Sequence, residues 1–239
     1  GVKTAGPLLS DIADSQLPSL WRIFCEHNFA LWSETVGLGE PFIRFNSHLL
    51  LYPLNYVYLL GLEHGQTIKY ILEYIIGFFG LFYFMKSLKL TGIACYLGGI
   101  TYTFCSVMVM WGGWPHSDVT AFGPWLFSLV ERFLQCYAQK ERLQLKYCIG
   151  FIIVLWLMLV AGMPTYVPFF LYLGIVYTLY RGFQLFERQR YVRKMIPVIL
   201  LLGVCVVIAG LMSFLYTGTM LFSTAEYQEE RSSGSFTTL

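Results

Sequence analysis

Charged residues are scarce in this chain. Asp, Glu, Lys and Arg make up 13% of its 239 residues, whereas hydrophobic residues make up 56%. A soluble domain usually has about 25% charged residues. Apolar stretches of roughly 20 residues, the length that crosses a bilayer, recur along the chain. The composition therefore excludes an ordinary soluble domain and predicts an all-α protein of the lipid bilayer.

Several chemical signatures are also missing. The six cysteines form no Cys-x-x-Cys pair, which is typical of small buried residues and excludes a zinc site or a disulfide framework of the usual spacing. No P-loop, metalloprotease or hydrolase motif is present, and residues 37–42 lack the third glycine of a dinucleotide-binding loop. A net charge of +2 favours no nucleic-acid partner. No cofactor is identified with certainty, although a divalent metal would be compatible with the chain.

Hydrophobicity predicts a transmembrane bundle over residues 68–217. Its six spans are 68–86, 92–112, 119–136, 147–163, 165–180 and 195–217. Eleven of the 16 Lys and Arg residues lie in or beside the alternate connections 87–91, 137–146 and 181–194. The connections 112–118 and 163–165 contain none. The positive-inside rule then places the basic connections in the cytoplasm and all other connections outside.

We expect an outer loop at each end of this bundle. In the first, residues 1–67, an amphipathic pattern over 19–30 predicts a helix in the membrane interface. Residues 48–62 are apolar but too short to span, and Pro53 interrupts them, so they predict an interfacial or re-entrant segment. Residues 218–239 begin a second outer loop. Because the chain opens on Gly1, we expect a fragment of a longer protein.

Two outer loops contain candidate catalytic groups. Asp11 or Asp14 could act as a general base. Spacing alone favours the alternative, in which Ser10 or Asp11 caps a helix that has Asp14 in its first turn. His116 could bind a phosphate or carry a proton. Alternatively, the segment around His116 is a solvated turn in which Ser117 or Asp118 caps the third span.

Other polar and aromatic residues allow two interpretations. Trp111 and Trp114 are typical of a membrane interface, but they could also stack on sugar rings. Lys69 and Glu73 are four residues apart, which predicts an ion pair on a helix surface. The charged segment 226–231 is typical of a solvated surface.

Short motifs follow one another in a distinctive order. Along the first outer segment they are Asp11/Asp14, Gln16-Leu17-Pro18, Leu31-Trp32-Ser33, Gly37-Leu38-Gly39 and Tyr52-Pro53-Leu54-Asn55. Later come Trp114-Pro115-His116, Gly162-Met163-Pro164 and residues 226–233. This order resembles that of the YfhO-like bacterial membrane proteins, which belong to the GT-C class of glycosyltransferases. The resemblance covers nearly the whole chain.

The resemblance implies a GT-C type helical bundle in the bacterial cytoplasmic membrane, with its active face outside the cell. Such an enzyme transfers a sugar from a polyprenyl-phosphate donor to a cell-envelope acceptor, such as a teichoic-acid-like polymer or a glycolipid. An Asp of the first outer loop is then the general base. The family spacing is close to Asp-x-x-x-Gln, whereas Asp11 lies five and Asp14 two residues before Gln16, so both remain candidates.

The outer residues also provide candidate substrate ligands. A cation or a His must meet the charge of the leaving phosphate, and Arg22, Arg44, His48 and His116 are available. The full set of candidate ligands is Gln16, Arg22, Trp32, Arg44, His48, Trp114, His116 and Asp118. The alternatives are a membrane transporter and a non-catalytic scaffold. Spans 2, 4 and 6 have almost no charge at mid-depth, which disfavours a translocation path.

Overall fold

The structure, a computed structural model, is almost entirely helical. It describes residues 17–27, 32–33, 40–41, 48–139, 145–186 and 191–232. The helices are α1 (Leu17–Leu20), α2 (Leu62–Ser87), α3 (Gly92–Thr103), α4 (Ser106–Met110), α5 (Pro115–Gln139), α6 (Leu145–Val160), α7 (Val167–Leu185) and α8 (Tyr191–Ser232). A two-residue antiparallel pair, Trp32–Ser33 with Glu40–Pro41, is the β-structure in the described ranges. The predicted all-α class is therefore confirmed.

Three helical segments are long and apolar enough to cross a membrane. They are His64–Ser87, Gly92–Met110 and Tyr191–Thr219. These segments overlap the first, second and sixth predicted spans. Many of their large apolar side chains are exposed, as lipid-facing side chains are: Ile93 is 75% exposed and Leu211 is 70% exposed. The prediction of membrane-length helices thus holds for these three, while a six-span bundle stays a prediction.

The other three predicted spans coincide with α5, α6 and α7. The 16 residues of α6 extend about 24 Å, somewhat less than the roughly 30 Å of a bilayer core. Helix α5 packs against α6 and α7 and is buried over most of its length. Because protein surrounds α5, polar groups on it find protein partners, which explains why it is less apolar than the three membrane-length segments.

The second predicted span is interrupted. Helix α3 ends at Thr103 and α4 begins at Ser106, although neither Pro nor Gly occupies the break. The hydroxyls of Thr101 and Thr103 donate to the carbonyls of Leu97 and Gly99, four residues earlier, at 2.8 and 2.9 Å. Such back-bonding competes with the helical backbone and often bends a helix. It gives a local cause for the interruption.

The chain divides into two compact units. The first comprises residues 1–66 and 213–239, and the second comprises residues 67–212. In the first unit, α1 continues as a π-helical turn over Trp21–Cys25. Its apolar side chains pack with Leu49 and Tyr58 of the following segment. The expected helix over 19–30 is shorter in the structure, because His27 has a left-handed φ of 52°.

The first unit continues with two short helical pieces where an interfacial or re-entrant segment is predicted. A helical turn over 48–51 precedes a 3-10 helix over Pro53–Leu60. Proline occupies the first position of that helix, where its missing N–H costs nothing. Gly61 ends the 3-10 helix with a φ of 94°, a conformation that favours glycine.

In the second unit, α2 approaches α5 closely at a glycine. A Cβ on Gly80 would lie 2.7 Å from Trp125 Cδ1, so a larger residue would force the helices apart. The indole N–H of Trp125 donates to the carbonyl of Ile76 at 2.9 Å. This bond holds the Trp125 side chain in the space that Gly80 leaves.

One end of this unit is held by a buried ion pair. Glu131 of α5 has no exposed surface and accepts hydrogen bonds from Arg181 Nη2 at 3.0 Å and Tyr177 Oη at 2.6 Å. Gln135 Nε2 donates to Glu131 Oε1 and to the carbonyl of Ser87, both at 2.8 Å. The network therefore joins α5, α7 and the end of α2, and the charge of Glu131 is balanced.

Replacing Glu131 by Gln should destabilise the protein by about 3 kcal/mol. This is the low end for breaking a buried ion pair, because 24% of the Arg181 side chain stays exposed. Thermal unfolding in detergent measures the change. The matched control is Arg132→Gln, because Arg132 is exposed on the same helix. Equal stability of Glu131→Gln and the wild type would contradict a structural role for the pair.

Candidate functional site

The candidate site is built on a turn that precedes α5. Trp114 N–H donates to the carbonyl of Trp111 at 2.9 Å, and Gly113 has a φ of 78° that favours glycine. Pro115 starts α5, where a missing N–H is tolerated. Successive residues of a helix point about 100° apart, so His116 and the two residues after it face different surroundings. One helical turn thus supplies both an aromatic cluster and a buried polar cluster.

The aromatic cluster comprises Trp111, Trp114, His116 and Tyr166. The His116 ring stacks on Trp111 with ring centroids 4.4 Å apart, and it meets Tyr166 in a T-shaped contact with ring centroids 4.7 Å apart. Trp114 meets Trp111 edge-on at 5.9 Å. Tyr166 belongs to the 3-10 turn Pro164–Tyr166, so the connections 112–118 and 163–165 lie at the same end of this unit.

His116 is the polar group of the aromatic cluster. Partial burial lowers the pKa of its imidazole from the usual value, so the ring is neutral at neutral pH. Its Nδ1 is buried and has no hydrogen-bond partner among the described residues. A neutral imidazole can donate a hydrogen bond to a ligand or accept one from it.

The buried polar cluster comprises Lys69, Glu73, Ser117 and Asp118. Lys69 Nζ lies 2.7 Å from Asp118 Oδ2, as an ion pair rather than a well-aligned hydrogen bond. The side chains of Lys69 and Asp118 are 6% and 1% exposed, and Glu73 has no exposed surface. Ser117 Oγ lies 2.6 Å from Glu73 Oε2. The cluster joins α2 to the first turn of α5.

The polar cluster corrects one expectation and refines another. The prediction of a surface ion pair between Lys69 and Glu73 is wrong. Both residues are buried, and Lys69 pairs with Asp118 of α5. The four-residue spacing does put Lys69 and Glu73 on one face of α2, but that face packs against protein. Asp118 is the fourth residue of α5, so it lies inside the helix rather than at its cap. Its charge still benefits from the helix N-terminus.

The other candidate ligands belong to the first unit or lie outside the described residues. Arg22 is half-buried on the π-helical turn, and buried His48 packs against Tyr216 with ring centroids 5.2 Å apart. Trp32 lies in the short strand pair. The candidates outside the described residues are Asp11, Asp14, Gln16 and Arg44. The expected proximity of His116 to Asp11 and Asp14 therefore stays a prediction.

Sequence reasoning named Lys69 and Glu73 only as a surface ion pair, and it missed Tyr166. A charged pair within the apolar run of α2, Lys69 and Glu73, is itself a signal, because buried ionisable groups in such a helix are costly. Tyr166 gave no signal, because its contact with His116 joins positions 50 residues apart. The part of the chain that is described has no group of three or more His, Cys, Asp or Glu that could hold a metal ion. Comparisons with family models, curated proteins and solved structures gave no match.

Acid should destabilise the protein partly through His116. Burial disfavours the charged imidazole in the folded state, so below about pH 6.5 the unfolded state binds more protons. The stability that His116 contributes is present above about pH 6.5 and is lost as the pH falls below that value. The fall in melting temperature from about pH 7.5 to about pH 5 should be smaller for His116→Phe than for the wild type.

The control is His64→Phe, because His64 is exposed on α2. It should lose as much melting temperature on acidification as the wild type does. If His116→Phe behaved like His64→Phe, burial of a neutral His116 would be wrong.

Proposed function

We propose that this chain is the membrane part of a GT-C type glycosyltransferase. It binds a polyprenyl-phosphate sugar at the outer face of a bacterial cytoplasmic membrane and transfers the sugar to a cell-envelope polymer or glycolipid. The observation that carries the proposal is the aromatic cluster. Trp111 is 36% exposed, and the cluster lies at one end of a unit that includes membrane-length helices.

The aromatic cluster has the properties of a sugar subsite. Binding pockets for small molecules are mostly apolar and have a few polar groups that fix the orientation of the ligand. Here the faces of Trp111, Trp114 and Tyr166 offer apolar surface to a pyranose ring. His116 offers the polar contact through its imidazole ring, which is only partly buried.

The reaction is a substitution at the anomeric carbon. A hydroxyl oxygen of the acceptor forms the new bond to that carbon, and the bond from carbon to the phosphate oxygen of the donor breaks. The carboxylate of Asp11 or Asp14 takes the hydroxyl proton as general base. Neutral His116 donates a hydrogen bond to the departing phosphate, whose negative charge grows in the transition state.

A transporter is the second candidate, and one observation favours it. Lys69, Glu73 and Asp118 form a buried ionisable cluster, and two of them lie in a helix long enough to cross a membrane. Ionisable groups in such a position often mark an ion or proton path. The break between α3 and α4 also resembles the interrupted helices of transporters. The low charge of spans 2, 4 and 6 does not exclude a path beside span 1.

Activity should distinguish the residues that carry out the reaction. We expect one of Asp11→Asn and Asp14→Asn to lower turnover by about 10²- to 10⁴-fold, since Asn keeps the size and capping ability of Asp but is not a base. His116→Ala should lower it by about 10²- to 10³-fold, through lost charge stabilisation. The measurement is sugar transfer from a polyprenyl-phosphate donor by the full-length protein in liposomes.

The control is Tyr172→Ala, because Tyr172 is 67% exposed on α7 and should not affect transfer. Full activity of both Asp variants would contradict the first-loop base. The transporter would be favoured if the wild type transferred sugar from no polyprenyl-linked donor and instead moved a solute across the liposome membrane.

The proposed topology has its own test. In a variant without native cysteines, Thr165→Cys should react with an impermeant maleimide in intact cells, because residue 165 lies in a connection without basic residues. Gln139→Cys and Gln189→Cys, in basic connections, should react only after the membrane is opened. Labelling of Gln139→Cys in intact cells would contradict the six-span arrangement.

A further inference from the structure

The buried polar cluster has a role that sugar transfer does not require. Glu73 of α2 and Asp118 of α5 have no exposed surface. Both belong to one cluster, because Glu73 contacts Ser117, and Lys69, one turn before Glu73, pairs with Asp118, the residue after Ser117. Each also has one oxygen turned to a donor: Asp118 Oδ2 pairs with Lys69, and Glu73 Oε2 contacts the Ser117 hydroxyl.

The charges of this cluster do not balance if both carboxyl groups are ionised. The charged groups that face Glu73 among the described residues are Asp118 on α5 and Lys69 on its own helix, and Ser117 contributes a neutral hydroxyl. One ammonium group then stands against two carboxylates. An uncompensated charge in a buried site is strongly unfavourable, so the cluster needs one more positive charge.

The hydrogen bonds of the cluster also indicate that one positive charge is missing. Glu73 Oε1 and Asp118 Oδ1 are buried, and neither accepts a hydrogen bond from the part of the chain that is described. Two carboxylate oxygens cannot hydrogen-bond to each other, because an ionised carboxylate only accepts. A single proton on one of them supplies the missing donor and the missing charge together.

We propose that Glu73 and Asp118 form a buried proton-binding site that holds one exchangeable proton. Lys69 and the N-terminus of α5 both stabilise negative charge on Asp118. Glu73 carries the proton and donates it to Asp118. This site does not depend on the proposed sugar transfer, and it would remain if the protein were a transporter.

A hydrophobic carbodiimide reports such a proton covalently. An oxygen of the protonated carboxyl group bonds to the central carbon of the reagent, and the proton passes to one reagent nitrogen. The acyl group then moves from oxygen to nitrogen and gives a stable N-acylurea, which adds the mass of one reagent. The step needs no oxidant or reductant, and an ionised carboxylate that keeps its ion pair does not enter it.

The full-length protein in liposomes is treated with dicyclohexylcarbodiimide, and the modified residue is located by mass spectrometry of its peptides. We expect one adduct on Glu73, which forms more slowly as the pH rises. Glu131 is an internal control, because it is equally buried but its charge is balanced by Arg181. A wild-type protein with no adduct on Glu73, or with equal labelling of Glu131, would overturn the proposal.

Two variants separate a shared proton from simple burial of Glu73. In Asp118→Asn, Lys69 has only Glu73 to neutralise, so Glu73 should ionise and its labelling should fall at least tenfold. In Glu73→Gln the adduct should disappear and should not move to Asp118, which keeps its ion pair with Lys69. Undiminished labelling of Glu73 in a folded Asp118→Asn protein would overturn the shared-proton site. Retained thermal unfolding cooperativity identifies that variant as folded.

Discussion

The second unit depends on compensation of buried charge along α5. This helix is enclosed by its neighbours, and it carries a buried carboxylate near each end. Asp118 pairs with Lys69 of α2, and Glu131 pairs with Arg181 of α7. The two carboxylates are 13 residues apart, or about 20 Å along the axis. Because an unpaired charge is so costly there, the two ion pairs fix how α5 sits against α2 and α7.

The two ends of α5 differ in how completely their polar groups are satisfied. Around Glu131, one guanidinium, one phenol and one amide meet one carboxylate, and no charge is left over. Around Asp118, two carboxyl groups share one ammonium, and three buried carboxyl oxygens accept no hydrogen bond from described residues. A satisfied network stabilises a fold, whereas an unsatisfied one points to a function. This difference supports the proposal that the functional end is the one with Trp111 and His116.

Hydrophobicity predicted where the helices are, but not how their polar faces meet. Membrane-length apolar runs are local, so the helices over 68–86, 92–112 and 195–217 were evident from the sequence. The break at 104–105 was not, since hydroxyl back-bonding rather than Pro or Gly accompanies it. The partners of Lys69 and His116 lie 49 and 50 positions along the chain, at Asp118 and Tyr166. No short-range pattern contains such a contact.

The two candidate functions use opposite sides of the same helical turn. His116 turns toward the aromatic rings, whereas Ser117 and Asp118 turn toward Lys69 and Glu73 inside the unit. Sugar transfer needs the first side, and proton or ion movement needs the second. Gly113 and Pro115 determine where α5 begins. A ligand that displaced this turn would therefore also change the distance between Asp118 and Glu73. A bound proton and a bound ligand would then influence each other through one rigid element, whichever of the two functions the protein performs.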